Sequence, residues 1–270
     1  MLRFSKAHAY GNDFLYVRKQ DAADIQPDAL TIAMCDRHSG IGADGLIVYE
    51  HDRSAGSASM QLFNADGGRA EVSGNGVRAL AALLLRDDPA VAASIDIHTA
   101  GGVKRLTRTA RQGSRHTFRA DMGSPADLIQ TTLQVDGGAT VAVTLNMGNP
   151  QCVVLGPLPD KARFERLGAA LAVHPAFPEG TNVEFAEVER PDRVRILVWE
   201  RGVGPTTSSG TGSCAALVAA AQFGGAERDA ELVAPGGSQR VEWTDRSVVL
   251  TGWAEIICDG EWTGQIPRTR

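Results

Sequence analysis

Two copies of one short stretch decide the fold: SGNGVRA at residues 73–79 and SGTGSCA at residues 209–215. Each begins Ser-Gly-[Asn/Thr]-Gly and leads into a run of almost only Ala, Leu and Val, at residues 79–85 and 215–221. A helix that is apolar all round is normally buried on every side. The copies are 136 residues apart (209 − 73), about half of the 270-residue chain. We therefore predict a duplicated fold with one buried helix in each half.

Two further pairs of landmarks share this spacing. Asn12 precedes a strand pattern in the first half, and Asn149 precedes one in the second, 137 residues later (149 − 12). Asn64 and Glu200 each end the strand pattern before a Ser-Gly motif, 136 residues apart (200 − 64). Three landmarks in the same order indicate a duplication rather than a chance match.

The remaining pattern is one of short strands joined by short turns, with few helices to connect parallel strands. This favours antiparallel pairing. We predict an α+β fold of two pseudo-symmetric domains, residues 1–120 and 121–270. Each is expected to be a curled, mostly antiparallel sheet or barrel around a central buried helix. In the tail, short strands are predicted at residues 248–251 and 256–257. The last strand is expected to be able to pack back on the N-terminal domain.

Composition excludes several classes of function. The net charge of −5 and the pI of about 5.7 argue against nucleic acid or an anionic membrane as the main partner. No run approaches the roughly 18 apolar residues of a membrane helix, and the N-terminus lacks the pattern of a signal peptide. We therefore expect a cytoplasmic protein.

The cysteines and histidines predict neither a disulfide nor a metal site. Cys35, Cys152, Cys214 and Cys258 are far apart and form no Cys-x-x-Cys pair. Each is interpreted as a small buried apolar residue. The six histidines do not cluster with acidic residues at metal-ligand spacing.

The glycine motifs suit an anion. A helix N-terminus has about four free backbone N–H groups and a partial positive charge, and glycine lets a ligand approach closely. Gly74, Asn75, Gly210 and Thr211 are therefore candidates to bind a carboxylate or phosphate. The alternative is that each serine is simply a helix N-cap. Neither motif is a dinucleotide or Walker fingerprint, so no nucleotide cofactor is expected.

Further polar residues stand at strand ends, where binding groups concentrate. They are Asn12, Asn64, Asn149, Asn182, Glu200 and Arg201. Arg201 suits a carboxylate and Glu200 an ammonium group, whereas any single asparagine is equally explained by turn formation. At equivalent places in two halves, the set predicts an amino-acid-shaped ligand.

The chain resembles the diaminopimelate epimerase family over nearly its whole length. The motifs that carry the resemblance include GNDF at residues 11–14, GIGADGL at 40–46, FNADG at 63–67, MGNP at 147–150, GTNVEF at 180–185 and WERGVG at 199–204, together with the two Ser-Gly stretches.

The resemblance implies a cofactor-free epimerase with a homodimeric assembly and a role in lysine and peptidoglycan precursor synthesis. Its substrate would be a dicarboxylic amino acid, held between the two helix N-termini. One base would remove the α-proton, and an acid on the opposite face would return one. Ser73 and Ser209 occupy the positions of these catalytic groups. The substrate-binding residues would be Asn12, Asn64, Asn149, Asn182, Glu200 and Arg201.

The sequence departs from the family at several of these positions. The family has cysteines where this chain has Ser73 and Ser209, usually a histidine at Gln151 and usually a glutamate at Pro205. A serine hydroxyl is a far weaker acid than a thiol and needs an adjacent base. Gln151 cannot supply such a base. Asp44 or Asp66 could, but the sequence does not show whether either lies near a serine.

Four interpretations stay open at this point. The chain is an epimerase that uses serine chemistry, or a form in which both cysteines were replaced to trap the enzyme. It is alternatively a same-fold isomerase that shifts a double bond, as in the phenazine-pathway and methylaconitate isomerases, or an amino-acid-binding protein without catalysis. Gln151 and Pro205 speak against simple trapping, since no trapping strategy requires them.

Overall fold

The computed structural model describes residues 1–22, 24–70, 73–90 and 93–264, and these form two compact units. Unit 1 comprises the described residues up to Ala120 and those from Trp253 onwards, and unit 2 comprises Asp121–Gly252. The last described residues belong with unit 1 because they pair with its first strand, Leu2 opposite Trp262 and His8 opposite Glu255. The sequence analysis assigned residues 121–270 to the C-terminal domain and allowed for a last strand that packs back on the N-terminal domain.

Unit 1 is a ring of eight hydrogen-bonded strands in the order β1-β2-β3-β4-β6-β7-β8-β17, closed by pairing of β17 with β1. The pairs β2–β3 and β4–β6 are parallel, and the other pairs with a defined register are antiparallel. The elements are β1 (Leu2–Ala9), β2 (Asn12–Arg18), a 3-10 turn (Lys19–Ala22), α1 (Pro27–Cys35), β3 (Gly45–Asp52), β4 (Ser57–Asn64), β5 (Arg69–Ala70), α2 (Gly74–Leu84), β6 (Ser94–Thr99), β7 (Gly102–Gln112), β8 (Arg115–Asp121) and the end of β17 (Val248–Trp262).

Unit 2 repeats this order of strands and helices. Its sheet runs β9-β10-β11-β12-β13-β15-β16-β17, with β11–β12 and β13–β15 parallel. The elements are β9 (Ala126–Val135), β10 (Gly138–Asn146), β11 (Pro150–Leu155), α3 (Lys161–Ala172), β12 (Asn182–Arg190), β13 (Arg193–Glu200), β14 (Gly204–Thr206), α4 (Gly210–Ala219) with a π-helical turn (Ala220–Gly224), β15 (Asp229–Ala234), β16 (Gly237–Trp243) and the start of β17.

The predicted α+β fold is confirmed. In each unit the apolar helix lies within the curved sheet: α2 contacts β1, β2, β6 and β7, and α4 contacts every strand from β10 to β13 as well as β15 and β16. All but one residue of α4 are buried. The second helix of each unit, α1 or α3, packs on the opposite face of the sheet, where it forms a separate core cluster.

The structure corrects three details of the sequence analysis. The two short tail strands predicted at residues 248–251 and 256–257 are one continuous strand, β17. The strand β9 was not predicted, because its exposed polar residues hide the alternation. Cys258, predicted to be buried, is exposed near the end of β17, whereas the other three cysteines are buried; none of these four described cysteines forms a disulfide.

Gly45 provides a test of how closely β3 and β4 approach. A Cβ atom at Gly45 would lie 2.5 Å from the backbone oxygen of Phe63, which cannot rotate away. We expect Gly45→Ala to lower the free energy of unfolding by about 1–3 kcal/mol, measured by denaturant unfolding. The control is Gly138→Ala in β10, where the nearest atom would be 4.0 Å away. Equal effects of the two changes would contradict the close approach.

Candidate active site

Both Ser-Gly motifs form the same local structure. Ser73 caps α2 and its Oγ accepts a hydrogen bond from the Gly76 N–H at 3.1 Å. Ser209 caps α4 and its Oγ accepts from the Gly212 N–H at 3.2 Å. The predicted anion-binding residues are therefore in the first turn of each helix: Gly74 and Asn75 in unit 1, Gly210 and Thr211 in unit 2. Backbone N–H groups at this point in a helix have no partner within the helix and carry partial positive charge.

In unit 1 a polar network holds Asn12 next to the first turn of α2. The Asn75 Nδ2 donates to Asn12 Oδ1 at 3.4 Å, and Asn12 Nδ2 donates to Asp44 Oδ2 at 2.8 Å. Arg37 bonds both Asp44, at 2.9 Å, and Asp13, at 2.7 Å. Burial raises the pKa of Asp13, but hydrogen bonds from Arg37 and Lys6 outweigh it and the net pKa is lowered. Asn12 is thus oriented by a fixed ionic cluster.

Arg78 is a buried member of this half that sequence reasoning missed. Its side chain is 2% exposed, its Nη1 donates to Asn75 Oδ1 at 3.3 Å, and its guanidinium lies 5.7 Å from the centre of the Tyr10 ring. A charged residue in an otherwise apolar helix was the available signal. Arg78 fixes the side chain of Asn75 and adds positive charge near the first turn of α2.

In unit 2 a row of polar side chains crosses three neighbouring strands. Gln151 in β11 is paired with Asn182 in β12. Val183 is opposite Trp199, so the same register places Asn182 opposite Glu200 at the end of β13. Directly paired residues have their side chains on one face of a sheet. The next residue pair along that face, Glu184 and Val198, contacts α4: a Cβ atom built on Gly212 would lie 2.6 Å from Glu184 Oε1.

Glu200 is the carboxyl group that lies beside Ser209. Burial raises the pKa of Glu200, and interaction with the hydroxyl groups of Thr206 and Ser209 partly opposes that rise. A carboxylate with raised proton affinity beside a serine hydroxyl is a chemically competent base for it. The serine at this position therefore has the neighbour that the sequence alone did not provide.

Glu184 is the second carboxyl group on this face, and the sequence analysis did not single it out. Its side chain is 0% exposed, and neither carboxyl oxygen has a hydrogen-bond partner within the described part of the chain. Burial raises its pKa well above the ordinary value, and the charge of Glu200 raises it further. Burial and Glu184 together raise the pKa of the neighbouring Cys152 to about 12. Glu184 therefore binds its proton more strongly than an exposed glutamate does.

Unit 1 has no counterpart of these carboxyl groups at the equivalent positions. Its matching row is Phe14, Gly45 and Asn64. Ile47 takes the place of Glu184, and its Cδ1 would lie 2.8 Å from a Cβ atom on Gly76, as Glu184 does for Gly212. Within the described residues of unit 1, the Ser73 hydroxyl has the Gly76 N–H as its hydrogen-bond partner.

The other predicted site residues are less closely associated with the first turns. Arg201 is exposed, and its Nη1 donates to the Glu179 backbone oxygen at 2.9 Å. Its backbone N–H donates to Asn182 Oδ1 at 2.9 Å. Asn149 Oδ1 accepts from Gln151 Nε2 at 2.6 Å, which links it to the polar row. Asn64 is exposed at the end of β4.

Asp66, one of the two aspartates that the sequence left undecided, belongs to a turn. Its Oδ1 accepts from the Gly68 N–H at 2.8 Å, and the residue is exposed. The other, Asp44, is occupied by Asn12 and Arg37. Hydrogen bonding therefore accounts for both carboxylates without a role beside Ser73.

The described residues contain neither a cluster of metal-ligand side chains nor a helix that could span a membrane. Among them, His, Cys, Asp and Glu side chains do not form a group of three or more that would hold a metal ion. The helices within the same ranges are also too short or too polar to cross a membrane.

Sequence comparison identifies the family. The family model described as diaminopimelate epimerase matches residues 4–127 and 143–257. A diaminopimelate epimerase of Desulforudis audaxviator is 38% identical over 278 residues, covering 97% of this chain and 99% of the relative. One from Pelotomaculum thermopropionicum is 36% identical over 278 residues, with coverage of 97% and 99%. The chain belongs to the diaminopimelate epimerase family.

Solved structures agree with this fold. A predicted epimerase from Pseudomonas aeruginosa has a TM-score of 0.74 at 16% identity, covering 98% of this chain and 100% of that one. A probable proline racemase from Agrobacterium radiobacter has a TM-score of 0.72 at 16% identity, with coverage of 97% and 93%. A methylitaconate-delta-isomerase has a TM-score of 0.61 at 14% identity, with coverage of 96% and 94%. At these identities the likeness concerns the fold alone.

Family membership also confirms that the chain is an isomerase of the amino-acid epimerase class. Against that family, the residue changes at Ser73 and Ser209 stand out, because these two serines cap α2 and α4. Of the other two changes, Gln151 belongs to the polar row of unit 2, and Pro205 is exposed in β14. The carboxyl groups Glu184 and Glu200 lie close to Ser209, which stands where the family has a cysteine. Their position bears on whether a serine can transfer protons there.

The buried Glu184 predicts a specific pH dependence of stability. The pKa of Glu184 in the folded protein is raised above the ordinary 4.5. The folded protein therefore keeps a proton on Glu184 over a pH range in which the unfolded chain releases it. The free energy of unfolding therefore falls as pH rises above about 4.5, by up to about 1.4 kcal/mol per pH unit. Glu184→Gln carries no such proton, so its stability relative to the wild type should increase with pH.

Denaturant unfolding between pH 5 and pH 8 measures this difference. The control is Glu187→Gln, the same chemical change on the same strand at a half-buried position. A constant stability difference between Glu184→Gln and the wild type across this pH range would show that Glu184 is ionised in the folded protein.

Proposed function

We propose that the protein epimerises a dicarboxylic amino acid of the diaminopimelate type at its α-carbon, without a cofactor. The observation that carries the proposal is the pair of serine-capped helices. One is present in each unit and directs the N–H groups of its first turn beyond the helix, and at α2 the side chains of Asn75 and Asn12 lie together at that turn. Such donors suit an α-carboxylate, and they stabilise the negative charge that develops when the α-proton leaves.

The proton transfer is proposed to use the hydroxyl groups of Ser73 and Ser209, one to accept the α-proton and the other to return one. In one direction the α-carbon–hydrogen bond breaks and its electron pair is delocalised into the carboxylate. The proton passes to Ser209 Oγ as the hydroxyl proton of Ser209 passes to Glu200. The Ser73 hydroxyl returns a proton to the carbon, and water can restore it because Ser73 is half-buried.

Glu200 is the group that makes this chemistry feasible with serine. A free hydroxyl is too weak an acid to act at neutral pH without an adjacent base. Burial of Glu200 raises its affinity for a proton, and this matches a carboxyl group to base catalysis near neutral pH. The remaining polar residues, Asn12, Asn64, Asn149, Asn182 and Arg201, are proposed to bind the amino and carboxylate groups of the substrate.

A double-bond isomerase is the second candidate. The observation that favours it is the asymmetry between units: the carboxyl groups Glu184 and Glu200 lie beside the Ser209 cap, and the equivalent residues of unit 1 are neutral. A single base suffices to take a proton from one carbon and return it to another on the same face. The product, rather than the fold, distinguishes this reaction from epimerisation.

Solvent exchange at the α-carbon tests the proposal directly. In deuterated water we expect LL- and meso-diaminopimelate to gain deuterium at the α-carbon with inversion, followed by NMR and chiral chromatography. A panel of other amino acids sets the substrate range. Migration of a double bond in an unsaturated acid would favour the second candidate. Tight binding with no exchange for any amino acid would favour a binding protein without catalysis and overturn the proposal.

Restoring thiols tests the assignment of Ser73 and Ser209. A thiol has a pKa near 8.5 that a helix N-terminus lowers, so it provides both acid and base forms near neutral pH. We expect Ser73→Cys with Ser209→Cys to raise the rate of exchange by about 10²-fold or more. The control, Ser73→Ala with Ser209→Ala, keeps the first turns but removes both hydroxyls and should abolish exchange. Unchanged exchange in both double variants would show that the residues are assigned wrongly.

A further inference from the structure

Glu184 poses a physical problem that the proposed reaction does not use. A fully buried carboxyl group without hydrogen-bond partners strongly destabilises the folded protein if it is ionised, and it destabilises it more weakly if it is neutral. Neither of its oxygens has a partner among the described residues, and Oε1 points at the first turn of α4, next to Gly212. A side chain of this kind needs an explanation other than stability.

The internal repeat shows that packing alone does not require a carboxyl group here. Ile47 holds the same place in unit 1: it faces the first turn of α2 at Gly76, and it is paired with Leu62 as Glu184 is paired with Val198. An apolar side chain thus fills this position in one copy of the fold. The acid is a feature of unit 2, where the proposed base is found.

Among the groups that face Glu184, one carries a charge that affects its protonation. From β13 it faces Val198 directly, and Glu200 lies one residue pair further along the same face, a diagonal separation of about 7–8 Å. From β11 it faces Val153 directly, and the thiol of Cys152 also interacts with it. From α4 it meets Gly212, and the described first turn of that helix carries no charged side chain. Glu200 is therefore the charge to which Glu184 is coupled.

We propose that Glu184 is a positioning residue for Glu200: it stays protonated behind the first turn of α4 and so leaves one negative charge, that of Glu200, beside Ser209. Two carboxyl groups that interact in a buried place release their protons in two separate steps. Between these steps the pair holds one proton and one charge. Ionisation of Glu184 adds a second negative charge beneath the helix N-terminus and weakens its attraction for an anionic substrate. This role rests on the proposed function, because it assigns Glu200 as the base.

Infrared spectroscopy tests the protonation without any substrate. At neutral pH we expect the carbonyl stretching band of a buried, protonated carboxylic acid in the wild type, absent from Glu184→Gln and present in the control Glu187→Gln. In Glu200→Gln the band should persist but titrate away at lower pH, because the neighbouring charge is gone. A wild type without the band, or a midpoint that Glu200→Gln leaves unchanged, would overturn the proposal even if the protein proves to be an active epimerase.

The pH profile of α-proton exchange tests the link to catalysis. We expect a decline in exchange at alkaline pH in the wild type that moves to higher pH in both Glu184→Gln and Glu184→Ile. The isoleucine variant carries the residue of the other unit and preserves packing. A decline that stays in place in both variants, or that moves with Cys152→Ala instead, would overturn the proposal. Absence of exchange in the wild type would refute the proposed function. The infrared spectrum would still show whether Glu184 carries a proton.

Discussion

The whole arrangement depends on a helix that is buried on every side and polar at one end. An α4 built of Ala, Leu, Val and Cys satisfies its backbone internally except in the first turn, where four N–H groups point beyond the helix. The curved sheet of unit 2 covers the sides of the helix, so polar chemistry is confined to that end. The Ser209 Oγ accepts a hydrogen bond from one of these N–H groups. The Ser73 Oγ does the same for α2 in unit 1. The proposal that these helix ends bind an anionic group follows from this burial.

The two units share one fold but differ in the side chains that surround their capped helices. The two units share the serine caps, the close-packed glycines at Gly76 and Gly212, and a side chain that presses on each of them. They differ in what that side chain is, Ile47 in one unit and Glu184 in the other, and in what lies beside the cap, Asn64 or Glu200. Burial in unit 2 raises the proton affinity of both carboxyl groups. On this ground Glu200 is the proposed base for a serine, which lacks the acidity of a thiol.

Much of this was predictable from sequence, because hydrophobic periodicity and turn residues report burial and local geometry. The two Ser-Gly motifs, the apolar helices and the common spacing of about 136 residues predicted the α+β fold. The hydrogen bond between Asn12 and Asn75 was not predictable in this way, because it joins residues 63 positions apart. Glu184 and Arg78 were missed because their roles depend on the residues that face them in the folded protein. No local sequence pattern identifies those neighbours. The continuous β17 was also missed, since its middle residues lack a clear alternation.

The neighbourhood of Ser209 separates two roles that Glu200 could have been given from its sequence position alone. If Glu200 only binds the substrate's ammonium group, its loss weakens binding; if it is the base for Ser209, its loss slows proton transfer. The most direct measurement is therefore the rate of α-deuterium incorporation by Glu200→Gln at saturating substrate, with the dissociation constant measured by calorimetry. The account predicts a rate lower by about 10²–10⁴-fold with substrate still bound. A wild-type rate at saturation with weakened binding would contradict it.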